Sequence, residues 1–200
     1  MEQFRDAGPD PLTVRPMRPE DESDVARVLG DCDDYLVAAT GSPALPADVQ
    51  SLYYALPDGA DFEQKHLLVV CDRATVVGVV DAVAGHPDSG TCAVGMFLLT
   101  PGTRRKGVGT RAAQRLLQEA AARGMRRVTA TCPQGWAPGL AFLRSLGFEL
   151  HAPPPQPQPT VGDRLRHPAE TNLCTAFREV PGGSSGGTAA ESDRERHNAS

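Results

Sequence analysis

The residues with the most chemical content lie between Thr100 and Ala113, in the run T-P-G-T-R-R-K-G-V-G-T-R-A-A. Three consecutive cations, Arg104, Arg105 and Lys106, precede Gly107-x-Gly109. Glycine lets a backbone approach a ligand without a Cβ in the way. A helical pattern begins directly afterwards. The first turn of a helix offers unpaired N–H groups at the positive end of its dipole. Cations, glycine spacing and a helix start together describe an anion site, and a pyrophosphate suits it best. A surface loop with a solvated basic cluster is the plainer reading.

Three phosphate-binding patterns compete for this run. A P-loop needs G-x-x-x-x-G-K-[ST]. Gly102 and Gly107 have that spacing, but Val108 and Gly109 follow where Lys and Ser/Thr belong, so nothing is placed for terminal phosphates or Mg²⁺. A dinucleotide turn needs its glycines directly after a strand and an acid about twenty positions on. Here Thr100 to Lys106 separate strand from glycine, and Val128-Thr-Ala-Thr131 holds no acid.

The third pattern, Arg104-x-x-Gly107-x-Gly109, resembles the coenzyme A pyrophosphate loop of the GNAT superfamily of N-acyltransferases. The resemblance runs over about residues 12 to 180. Val94-Gly-Met-Phe-Leu-Leu-Thr-Pro101 is similar to the family's central strand and the proline that ends it. Gly107 to Gly124 is similar to its long cofactor-side helix. Ala141-Phe-Leu-Arg-Ser-Leu-Gly-Phe148 is similar to its closing A-x-x-[FL]-Y-x-x-x-G-F element.

The resemblance implies a fold and a chemistry. The fold is α/β (α+β): a mixed, mostly antiparallel twisted sheet of six to seven strands, flanked by about four helices. Backbone groups around Phe97, Leu98 and Leu99 would pair with the pantetheine arm of acetyl-CoA. Backbone N–H groups over Arg105, Lys106, Gly107, Val108, Gly109 and Thr110 would hold its pyrophosphate, with charge added by Arg104 or Arg105. A primary amine of a small molecule or of a peptide or protein would then attack the thioester directly, with no metal. Catalysis would rest on positioning and proton management.

Two positions depart from the family's pattern. Leu143 stands where a tyrosine often serves as general acid, and Trp136 where an asparagine often opens the helix. Trp136 reads as a packing residue at the cleft rim. No Glu or Asp lies between Thr91 and Thr100. Asp81, which interrupts an apolar strand, is the candidate general base, with a paired structural carboxylate as its alternative. His86 and His151 are further proton-relay candidates. Asp33, Asp34 and Tyr35 read either as an attraction for an amine or as a solvated helix end. These departures keep open a catalytically weak acyl-CoA-binding or sensor module, and the proline-rich loop and C-terminal tail keep open an interaction protein that uses them.

The elements that must position this machinery follow from periodicity. Leu12 to Met17 reads as a strand, then acids from Glu20 to Asp24 open a helix with Val25, Val28 and Leu29 as its stripe. Asp31 to Leu36 continues or follows it, and Ala47 to Leu56 is a second helix. His66–Cys71, Val76–Val83 and Thr91–Leu99 form a meander. A helix over Arg111–Arg123 and a parallel strand over Arg127–Cys132 follow. A short helix over Pro138–Leu146 and strands from Phe148 and Asn172 complete the domain.

Composition bounds the rest. Two hundred residues make one domain the expectation: a flexible end over 1–11, a domain over 12–180 with a proline-rich insertion at 153–171, and a disordered tail over 181–200. A net charge of −5 gives no reason to expect nucleic-acid binding. No apolar run reaches the length of a membrane span. The N-terminus carries no apolar signal core. Five scattered cysteines without a C-x-x-C pair argue against zinc and for reduced thiols in a cytoplasmic protein, as monomer or homodimer.

Overall fold

Valine-rich, alternating runs form the strands, because β-branched side chains suit a pleated and half-buried surface. The structure is a computed structural model that describes residues 11–151 and 173–181. In chain order it contains β1 (Leu12–Pro16), α1 (Glu22–Asp31), α2 (Asp33–Thr40), α3 (Asp48–Tyr54), β2 (Lys65–Asp72), β3 (Thr75–Ala84), β4 (Thr91–Leu99), α4 (Val108–Ala122), β5 (Arg127–Pro133), α5 (Ala137–Ser145), β6 (Glu149–His151) and β7 (Leu173–Glu179). The strands make one seven-stranded sheet in the order β1-β2-β3-β4-β5-β7-β6. Among the described residues only β4 and β5 pair in parallel. That pair is joined through α4, as a parallel crossover requires.

Helices cover both faces. Val25, Val28 and Leu29 of α1 pack with Val69, Val79 and Leu98 on one side. On the other, Val108 and Ala112 of α4 pack with Val70, Val80 and Leu99. A further core joins Ala113, Leu143 and Leu146 to Val128, Ala130 and Ala176.

The expected α/β (α+β) fold, a mixed and mostly antiparallel sheet flanked by helices, is observed, with seven strands and five α-helices. The stretch around Asp31 follows α1 instead of continuing it. Cys32, at φ −105° and ψ 33°, ends one helix and opens the next. Its buried thiol donates to the Leu99 carbonyl at 3.3 Å and so pins this joint to the end of β4. α4 begins at Val108, three residues before the expected Arg111, because Gly107 (φ 79°) already turns the chain into it. The proline-rich insertion, the C-terminal tail beyond Pro181 and the N-terminal end before Pro11 lie outside the described residues.

A defect in β4 shapes the functional region. Asp81 pairs with Met96 and Ala82 pairs with Val94, which leaves Gly95 as an extra residue. Such a bulge bends its strand and increases the local twist. Thr91–Val94 pairs with Arg127–Ala130, and from there β4 runs on to Leu99 and β5 to Pro133 without a shared ladder. The two strands splay into a wedge at the end where the glycine loop follows.

Candidate active site

The loop at the mouth of the wedge is built to leave backbone donors free. Pro101–Thr103 forms a single 3-10 turn, closed by Arg104 N–H donating to Pro101 O at 3.2 Å. Arg105 (φ 59°) and Gly107 (φ 79°) then adopt left-handed conformations. Left-handed residues alternating with right-handed ones make anion-binding concavities from successive N–H groups. The first backbone bond of α4 runs from Arg111 N–H to Gly107 O at 3.0 Å, and no side chain caps the helix. Among the described residues, none of the N–H groups from Arg105 to Thr110 has a hydrogen-bond partner.

These donors border a cleft of about 660 Å³ between the loop, the end of β4 and α5. Phe97, Leu99, Arg104, Arg105, Gly107, Gly109 and Thr110 come together on its wall. Leu98, Lys106 and Val108 do not line it. Leu98 is fully buried on the opposite face with α1, Val108, the first residue of α4, is buried with Val70, Val80 and Leu99, and Lys106 is exposed. Leu98 and Val108 have only main chain to offer the cleft, and the Lys106 side chain stands at its rim. Gly109 is a close-approach position: a Cβ there would lie 3.1 Å from Leu99 Cδ1 and 3.4 Å from the Phe142 ring. Across the cleft, α5 contributes Pro138, Gly139, Ala141, Phe142 and Ser145, which sequence reasoning missed. Phe142 stacks on Phe97 with centroids 5.6 Å apart.

Arg104 lines the cleft, but its guanidinium is engaged elsewhere. Nε donates to Leu99 O at 2.8 Å, and the two Nη atoms donate to the Asp34 carboxylate at 2.5 and 3.1 Å. The Trp136 indole N–H donates to the same carboxylate at 3.0 Å, and the guanidinium lies 5.4 Å from the Trp136 ring centroid. Hydrogen bonds from Arg104, then from Trp136, hold the Asp34 carboxyl below its ordinary pKa. Asp34 and Tyr35 are therefore tied to the glycine loop and to α5, whereas Asp33 is exposed and accepts from Ala44 N–H at 3.0 Å.

Trp136 stands between two cavities. The second, about 550 Å³, shares Phe97, Trp136, Gly139 and Phe142 with the cleft, and Leu143 and Tyr35 line it too. The Tyr35 ring meets Trp136 edge-on with centroids 5.1 Å apart. Its hydroxyl has no hydrogen-bond partner among the described residues. Burial pushes its pKa up to about 12, so it stays a neutral donor at physiological pH.

Asp81 is placed otherwise than its candidacy as general base requires. Its carboxylate accepts from Lys65 Nζ at 2.8 and 3.0 Å, and Lys65 also donates to Ala55 O at 2.6 Å. Burial, the dominant influence, raises the Asp81 pKa while Lys65 opposes it. Asp81 lines neither cavity. His151 lies against Phe177, 4.8 Å between centroids, and His86 sits in the β3–β4 turn; neither lines a cavity.

Residues 34–148, over half of the chain, match the acetyltransferase (GNAT) family, and the chain belongs to that family. It is accordingly an acyltransferase of the class that draws its acetyl group from acetyl-CoA. Solved structures share the fold. An acetyltransferase from Thermus thermophilus is 20% identical, with a TM-score of 0.61, covering 84% of this chain and 96% of its own. The ribosomal-protein-S18-alanine N-acetyltransferase from Escherichia coli is 12% identical, with a TM-score of 0.59, covering 88% and 97%. A Salmonella typhimurium protein solved with its cofactor acetyl-CoA is 17% identical, with a TM-score of 0.59, covering 88% and 98%. No curated protein matches the sequence.

Proposed function

We propose that this enzyme transfers the acetyl group of acetyl-CoA to a primary amine of a small molecule or peptide by direct attack. The observation that carries this reading is the row of unpartnered N–H groups from Arg105 to Thr110 at the mouth of the β4–β5 wedge. A pyrophosphate fits that row, because fixed backbone donors at a helix start satisfy anionic oxygens without reorganising. The pantetheine arm then runs along Phe97 to Leu99, and the thioester reaches the end of the wedge near Trp136.

There the amine nitrogen forms a bond to the thioester carbonyl carbon, the C–S bond breaks, and the thiolate leaves. Proximity and orientation in the wedge supply most of the acceleration. Leu143 has no proton to give, and we assign the hydrogen bond to the departing sulfur to Tyr35, which opens on the same cavity. Asp81 is assigned a positioning role: with Lys65 it fixes β2 and β3 to the end of α3. A primary amine enters neutral and loses its extra proton to solvent.

Calorimetric titration of the protein with acetyl-CoA, with NAD as control, tests the reading. Saturable binding of acetyl-CoA alone is expected, and Gly109→Val should abolish it, because the added side chain meets Leu99 and Phe142 where the ligand must pass. Normal acetyl-CoA binding by that variant would refute the assignment of the loop.

A further inference from the structure

The second cavity is larger than an acetyl group requires. It extends from the Trp136 wall into the space between α4 and the sheet, where small side chains oppose one another: Ala113 and Ala120 on the helix, Ala82 and Ala130 on the strands. Packed layers of secondary structure lie roughly 10 Å apart, and alanines do not fill that gap. The remaining lining is mostly apolar, with Val80, Val94, Leu116 and Phe148 on it, and Arg15, His66, Arg115, Glu119 and Arg123 border it. At about 550 Å³ the space has the size of a ligand site, not of a packing flaw. Apolar cavities of this kind take up apolar ligands.

Its position names the occupant. The cavity meets the cofactor cleft at Phe97, Trp136, Gly139 and Phe142, the end of the wedge where the proposed thioester lies. A group entering from there is the acyl chain itself. We propose that this cavity is an acyl pocket and that the enzyme accepts straight-chain acyl-CoA thioesters of medium length as well as acetyl-CoA. The inference rests on the cofactor reading given above. The chemistry is unchanged: the acyl carbon exchanges its bond to sulfur for one to the amine nitrogen, and free thiol is released.

Each methylene buried in such a pocket tightens binding about fourfold. The test is calorimetry on the full chain with CoA, acetyl-CoA, butanoyl-CoA, hexanoyl-CoA and octanoyl-CoA, repeated on Ala113→Leu and Ala82→Leu. Both alanines are 7% exposed and line the cavity. The expected result is a Kd that falls stepwise with chain length. In the variants that dependence flattens, while the acetyl-CoA Kd stays within about twofold, since no group that holds CoA has changed. Thiol release from octanoyl-CoA in the presence of an amine should follow the same order. Binding of acetyl-CoA with no gain, or a loss, as the chain lengthens would overturn the acyl pocket and leave the cofactor reading intact. Absence of binding by every thioester would overturn both. Should one variant fail to fold, the unmodified protein's chain-length series and the other variant decide.

Discussion

Gly139→Ala sets two physical effects against each other, and the structure decides the sign. Gly139 lies in the first turn of α5. On propensity alone, alanine would stabilise the helix by up to about 1 kcal/mol. The geometry forbids that gain. A Cβ at this position would lie 2.2 and 2.4 Å from two carbons of the Trp136 ring and 2.8 Å from Cys132 Sγ. Contacts this short cannot persist, so the indole must move. Three interactions depend on where it now sits: the 3.0 Å hydrogen bond to Asp34, the edge contact with Tyr35 and the face offered to Arg104. The hydrogen bond, made to a half-exposed carboxylate, contributes about 1 kcal/mol. The aromatic and cation contacts add about 0.5–1 kcal/mol each. Their loss outweighs propensity and leaves a net cost of about 1–2 kcal/mol, or a Tm lower by roughly 2–8 °C for a chain of this size. Thermal and urea denaturation of Gly139→Ala, Trp136→Ala and the double variant form the assay. In the Trp136→Ala background the penalty should shrink to what Cys132 imposes. A Gly139→Ala protein more stable than the parent would refute the reasoning, as would a penalty of equal size without the indole.

The remaining predictions concern single side chains. Asp81→Asn leaves the Lys65 ammonium, 4% exposed, without its counter-charge. A loss of about 3 kcal/mol on denaturation is expected, with an unchanged pH-rate profile for acetyl transfer; a kcat drop of about 10²–10⁴ with loss of the basic limb would make Asp81 the general base after all. Tyr35→Phe keeps the ring packed on Trp136, so kcat should fall about 10²-fold while KM for acetyl-CoA holds. Equal kcat in the two proteins would remove the phenol from the mechanism. Asp21, paired with Arg15 through hydrogen bonds of 2.6 and 2.8 Å, has its pKa lowered to about 2. A carboxylate depressed in the folded state stabilises above its unfolded pKa, near about 3.9, and that contribution, about 2 kcal/mol, disappears as pH falls toward about 2. Urea midpoints at pH 6 and pH 3 should therefore differ less for Asp21→Asn than for the parent.

Local signals were enough for the scaffold. The meander from Lys65 to Leu99 is written in alternating β-branched residues and in turns such as Asp72-Arg-Ala-Thr75. The turn into α4 is legible as Gly107-x-Gly109, and the left-handed Gly107 and Gly124 bracket the helix between them. What stayed hidden depends on side chains far apart in sequence. Arg104 meets Asp34 across 70 positions, and Trp136 meets Asp34 across 102. No periodicity reports such a pairing, so three cations in a row read as one anion site although Arg104 faces a carboxylate. The partner of Asp81 depends on strand register: Leu67 is the residue opposite it, and Lys65 reaches it diagonally. The Gly95 bulge was equally silent, since a glycine within a strand signals weakness without saying which way the strand will bend.

The engagement of Arg104 changes how the cofactor loop has to be understood. With that guanidinium held by Asp34 and the Leu99 carbonyl, the groups that would face a pyrophosphate on the proposed reading are the main-chain donors, while Arg105 and Lys106 would supply charge from the rim. Charges at an exposed rim are screened within about 8–10 Å at physiological ionic strength, so they serve encounter more than retention. Fixed N–H groups on a turn held by Arg105 and Gly107 keep their geometry whatever the salt. Arg104 has a different effect. Through Asp34 it joins α2 to the glycine loop, and through Trp136 it joins both to α5. Trp136 also packs against the cores on the two faces of the sheet, filling the gap where β4 and β5 part. A wedge in a sheet exposes unpaired backbone and weakens the layers around it. Here Arg104 and Asp34 hold the indole of Trp136 in place, and Trp136, with the Gly139 that makes room for it, forms part of the wall between the cleft and the second cavity. A substitution that displaces the indole therefore disturbs the packing at the wedge and the wall between the two cavities together.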